Sequence, residues 1–148
     1  MIVRLQSETF DPGAESNAFL SGTEAAGAAV TFTGLVRSTP DNPILSMTLE
    51  HYPALAQSQL EKISKQAFER FSLIKLTTIH RYGTLAPGEP IVQVMTLAGH
   101  RKAAFEGAQF LMDYLKTGAP FWKKERSATG ENWVAAKTAD DSAKERWE

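Results

Sequence analysis

Apolar residues recur along this chain at two different periods, and the switches between them mark out its elements. From Pro53 onward, Ala56, Leu60, Ile63, Ala67 and Phe71 step by 4, 3, 4 and 4 positions, which draws one apolar stripe along a helix. Between Lys102 and Lys116, Ala104, Ala108, Leu111 and Leu115 step by 4, 3 and 4 and predict a second amphipathic helix. Phe105, Phe110 and Met112 are read as core beside that stripe, and Gly118 and Pro120 as the helix stop. Asp11-Pro12 reads as an N-cap with proline at the first helical position, opening a short helix that Gly22 closes.

The other apolar segments are short and rich in Val, Thr, Ile and Phe, as strands are. They are the N-terminal MIVRLQSETF, Ala28 to Val36, Ser46 to Tyr52, Leu76 to Tyr82 and Ile91 to Ala98. Ser38 to Pro43, with two prolines, Asp and Asn, is a loop. Ala86-Pro87-Gly88-Glu89 is a turn that would join its flanking strands as an antiparallel hairpin. Phe121 to Ser127 and Trp133 to Lys137 are expected to pair around Thr129 to Asn132, and the polar tail after Thr138 to fray or to dock as a helix. With no repeat, linker or low-complexity stretch, the 148 residues read as a single domain of α+β class.

Composition narrows the chemistry. A 43% hydrophobic and 22% charged chain is that of an ordinary globular protein. Its pI near 6.3 argues against wholesale binding to nucleic acid or an anionic membrane. No apolar run approaches the roughly 18 residues of a membrane span, and the N-terminus lacks a signal-peptide core, so the expected location is the cytoplasm. The absence of cysteine excludes disulfides, zinc–thiolate sites, iron–sulfur clusters and thiolate nucleophiles. His51, His80 and His100 form no helix-spaced pair, so neither a metal nor another cofactor is expected.

Against a net charge of −1, the stretch HRKAAFEGAQFLMDYLKTGAPFWKKE (100–125) concentrates cations, which suits an anion site. Lys116 stands in the last turn of the predicted helix, where the dipole favours an ammonium, so it is either a capping residue or a working one. Lys123, just past a Gly-Ala-Pro turn, could be folded back toward it. Two ammonium groups brought close lower each other's pKa, which would let one attack while the other holds an anion. His100-Arg101, at a helix start, could hold a phosphate or carboxylate, or could simply be solvated. Arg37 is a third anion ligand or a loop charge. Phe121 and Trp122 could stack on a flat heterocycle but are more ordinary as core, and Glu50-His51 could be an acid–base pair or two satisfied strand residues. No Walker loop, G-x-G-x-x-G, G-x-S-x-G or H-E-x-x-H occurs.

TFTGLVR (31–37), LEHYP (49–53), IHRYGTLAPGE (79–89) and above all the 100–125 stretch resemble the large, catalytic subunit of molybdopterin synthase. With their spacing they span essentially the whole chain; the 38–45 loop is where such proteins vary. The resemblance implies an α/β hammerhead fold with an additional antiparallel β subdomain. It implies a sulfurtransferase that converts cyclic pyranopterin monophosphate to molybdopterin. The two sulfurs would arrive as a thiocarboxylate on the C-terminal glycine of a small ubiquitin-like partner, and two large subunits would dimerise at the centre of a heterotetramer. Carried over by residue, Lys116 and Lys123 are the expected catalytic lysines. Arg37, with its neighbours Leu35 and Val36, and His100 and Arg101 are the expected ligands of substrate and phosphate, and Lys124 and Glu125 extend that pocket. Two rival readings are a non-catalytic module for an acidic peptide tail and a single-stranded nucleic-acid binder using Phe121, Trp122 and the lysines.

Overall fold

The computed structural model describes residues 1–117, 121–134 and 138–148, with side chains in the last segment from 142. In chain order the elements are β1 (Ile2–Gln6), α1 (Pro12–Phe19), β2 (Ala28–Leu35), β3 (Ser46–His51), α2 (Pro53–Arg70), β4 (Lys75–Arg81), β5 (Gly83–Leu85), β6 (Pro90–Ala98), α3 (Arg101–Thr117), β7 (Phe121–Ser127), β8 (Gly130–Val134) and α4 (Thr138–Glu145). The strands form two four-stranded sheets, ordered β1-β4-β6-β2 and β5-β3-β7-β8. In the first, β1 runs parallel to β4 and the other pairs are antiparallel; the second is antiparallel throughout.

Local chemistry explains the helix boundaries. The Asp11 carboxylate accepts from the N–H groups of Gly13 and Ala14, capping α1 as its Asp-Pro sequence predicts. In α2 and α3 the predicted stripes are buried: Leu60, Ile63, Ala67, Ala104, Ala108, Leu111 and Leu115 meet Leu76, Val92 and Val94 of the first sheet in one cluster. The Thr96 hydroxyl donates to the Ala104 carbonyl at 2.6 Å and fastens α3 to β6. On the other face of the sheet, Phe19 of α1 packs on Met95 and Leu97. Covered on both faces, β4 and β6 are buried almost end to end.

Several expectations change. β4 and β6 do pair antiparallel, but between them the chain lends β5 to the second sheet, where Leu85 lies opposite Met47. Gly83, at φ +90°, makes that crossing in a region closed to most L residues. β7 and β8 join through Ala128 and Thr129, so Glu131 and Asn132 belong to a strand and not to the turn. Phe105 is 62% exposed and is not core: it lies with Arg101 and Gln109 on the solvent side of α3, away from the buried stripe. The polar tail docks, with α4 lying on α3. There Trp147 donates its Nε1–H to the buried Asp113 carboxylate at 2.6 Å and packs against Phe71 and Phe110. The predicted stop at Gly118 and Pro120, and the strand end at Lys137, lie outside the described residues. No described helix is long and apolar enough to cross a membrane.

Candidate functional site

Where the two sheets meet, they enclose a hollow of about 100 Å³. The first sheet and α3 contribute Phe32, Gly34, Leu35, His80, Ile91, Val92, Met112, Leu115 and Lys116, and the second sheet Leu49, Phe121 and Lys123. Lys116 reaches it because it follows Leu115 in the last turn of α3; Lys123 reaches it by strand alternation, on the same face of β7 as Phe121. The register sets Lys123 opposite Leu49 of β3 and Phe121 opposite His51. Gly34 keeps the wall thin, since a Cβ there would stand 2.7 Å from Val92 Cγ1. The result is an apolar recess carrying two lysines.

Strand alternation also sorts the remaining predicted residues. Lys124 turns to the opposite face of β7, where its ammonium lies 4.6 Å from the Trp133 ring centroid and 3.7 Å from a Glu131 carboxylate oxygen. Glu125 accepts from the Asn42 side chain at 3.3 Å, beside a shallow depression lined by Ile44 and Trp133. Neither lines the hollow. Leu35 does, but Val36 points into a small second core with Ile44, Met47, Leu49 and Leu85. Arg37 is exposed at the start of the following loop.

His100 and Arg101 lie at the other end of α3 from Lys116, and a rise of about 1.5 Å per residue puts about 22 Å between Arg101 and Lys116. A single cavity in which Arg37, His100, Arg101 and both lysines converge is therefore not formed within one chain. The hollow is also small beside the roughly 300–1,000 Å³ of sites that enclose drug-sized ligands. Phe121 and Trp122 do not make one stacking platform: Phe121 faces the hollow, whereas Trp122 meets Tyr52 edge-on at 5.0 Å on the outer face. Glu50 is exposed, and His51 stacks on Tyr82 at 4.0 Å, so that pair is divided between the two faces of β3.

Sequence reasoning missed His80. It is buried, and burial with the nearby charges of Lys123 and Lys116 lowers its pKa from 6.5 to about 4, against a raising hydrogen bond to the Arg81 carbonyl. Its ring stacks on Phe121 at 4.1 Å. The one available signal, a histidine within an otherwise buried strand, is weak because Thr77 and Thr78 are polar and buried there too.

The model of the MoaE protein family matches residues 5–118. Molybdopterin synthase catalytic subunits from Cereibacter sphaeroides and Rhizobium meliloti are 50% and 49% identical to this chain, each over 147 residues. The first match spans 99% of this chain and 100% of the relative, the second 98% and 94%. Among solved structures, a molybdopterin biosynthesis MoaE protein from Burkholderia ambifaria superposes with a TM-score of 0.82 at 44% identity, covering 99% of this chain and 97% of the other. A complex of subunits 1 and 2 of molybdopterin-converting factor from Helicobacter pylori shares the fold, with a TM-score of 0.75 at 21% identity over 93% of this chain and 92% of the other. With a family model covering most of its length and half of its residues shared with such relatives, this chain belongs to the MoaE family of molybdopterin synthase catalytic subunits.

Proposed function

We propose that this chain is a cytoplasmic sulfurtransferase that turns cyclic pyranopterin monophosphate into molybdopterin. The two sulfurs arrive as a thiocarboxylate on the C-terminal glycine of a small ubiquitin-like partner. The observation that carries this reading is the hollow itself. It is narrow, apolar-walled and furnished with Lys116 and Lys123, dimensions and charge that suit a slim anionic peptide end better than a fused ring system. The partner's tail enters it, and the two ammonium groups bind the thiocarboxylate, polarise its carbonyl and stabilise the charge that shifts as sulfur attacks the pterin. The apolar walls beside the lysines strengthen both interactions once the entering tail has displaced water. A second subunit of this kind fits the Helicobacter pylori neighbour, which is a two-subunit complex.

The pterin and its phosphate lie outside the recess, held by Arg37, His100 and Arg101. Because Arg101 stands about 22 Å from Lys116 along its own helix, the His100-Arg101 pair serves the hollow of a second copy across a central dimer. Lys116→Ala is expected to abolish dithiolene formation from thiocarboxylated partner while leaving the fold intact, and near-normal turnover would remove it from the mechanism. Mixing inactive Lys116→Ala and Arg101→Ala chains should restore about a quarter of wild-type activity if sites are shared between copies, since half of the mixed dimers' sites would be intact. No recovery would assign the pair to another task. Binding of the tail without product from the wild-type chain would instead favour a non-catalytic tail-binding module.

A further inference from the structure

His80 belongs to β4 and presents its ring to the hollow beside Lys116 and Lys123. Its Nδ1 lies 2.8 Å from the Arg81 carbonyl oxygen. A carbonyl can only accept, so in the neutral ring Nδ1 carries the proton and Nε2 is left with its lone pair. The ring is clamped parallel to Phe121, with an interplanar angle of 10°.

Among the described residues lining the hollow, His80 is the only one whose side chain offers a nitrogen or oxygen lone pair. The others are apolar, glycine, a thioether or an ammonium, and an ammonium has three donors and no acceptor. The groups packed around His80 keep it uncharged. Lys123 approaches from β7, Lys116 from α3 and His51 from β3, while Leu5 of β1 and Val92 of β6 lie beside it in the sheet and are apolar. The guanidinium of its neighbour Arg81 is committed elsewhere, donating to the Ser7 and Pro90 carbonyls and to Glu89.

We propose that His80 is a positioning residue: anchored through Nδ1–H to the Arg81 carbonyl, it offers Nε2 as the hydrogen-bond acceptor that aims one lysine ammonium of the hollow at the carboxyl-type end entering it. The identity of that end rests on the function proposed above; the anchoring and the tautomer do not.

Two amide substitutions separate the ring's two nitrogens. His80→Gln sets a side-chain oxygen near the place of Nε2 and keeps an acceptor toward the lysines. His80→Asn reaches only the place of Nδ1, keeping the anchor and losing the acceptor. Both forfeit the stacking on Phe121 equally. With thiocarboxylated partner and the cyclic pterin, kcat of the Asn variant should fall about tenfold or more with KM for the partner little changed, and the Gln variant should stay within about threefold of wild type. Equal kcat for the two, or a better Asn than Gln variant, would overturn the proposal, since an anchor-only role predicts that order. Nitrogen NMR of the wild-type imidazole supplies a readout independent of turnover: Nδ1 protonated and Nε2 bare across about pH 5 to 8 is expected. A proton on Nε2 in that range would also overturn it. Failure of the wild-type chain to turn over would count against the proposed reaction, and the NMR result would still decide the state of His80.

Discussion

In the first sheet β4 and β6 are covered on both faces and buried almost throughout, whereas in the second sheet β8 is exposed at every one of its positions. The first is backed by a continuous cluster running through α2, α3 and the sheet; among the described residues the second rests on the smaller cluster of Val36, Ile44, Met47, Leu49 and Leu85, with Ile91 packed against it. The hollow straddles the two, taking Lys116 from a helix bedded on the strong sheet and Lys123 from a strand of the weak one. A larger core backs one lysine and a smaller one the other, so local opening is expected first around Lys123. The relative placement of the lysines is thus only as firm as the smaller sheet.

The larger core should show the greatest loss on truncation. Leu111 is fully buried in it, and Leu111→Ala should cost about 3–5 kcal/mol of global stability in urea unfolding. A loss below about 1 kcal/mol would mean that the larger sheet is not the cooperative unit supposed here.

At the seam, acid should act through His80. The unfolded chain takes up a proton on this ring near pH 6.5, whereas the folded chain resists until about 4. Between those values the unfolded state binds more protons, so stability falls as pH drops from 6.5 through 4 and is unaffected by this group above 6.5. The full effect is at most about 3 kcal/mol. It is read as the difference between wild-type and His80→Gln denaturation curves over that range, and superimposable pH dependences would remove the buried neutral ring from the account.

The smallest effect is expected in the second core. Leu85→Ala should cost about 2 kcal/mol, because a half-exposed sheet can settle onto the gap. Hydrogen exchange should accelerate in β3, β5 and β7 and stay slow in β4 and β6. Uniform acceleration would show that the sheets unfold together.

How much of this was legible follows from the range of each interaction. The stripes of α2 and α3 and the Asp11 cap depend on neighbours within a few positions, so periodicity and residue type announce them. β5 escaped because three residues carry no readable period and its partner Met47 is remote in sequence. Phe105 misled because hydrophobicity alone does not say which side of a helix faces the sheet. In β4, alternation has no inside and outside to report when both faces are covered, so His80 looked like any other strand residue.

The sequence by itself determined the family, the cation-rich segment and the two lysines worth following, since these are matters of residue identity and local spacing. The tertiary structure alone decided that Lys116 and Lys123 share a recess with His80, that Lys124 turns away, and that His100 and Arg101 stand at the far end of α3. Those outcomes hang on sheet register, on which face of β7 each side chain takes, and on the length of a rigid helix. Nearness in a list of residues cannot supply such geometry, because it is fixed only when the two sheets close on one another.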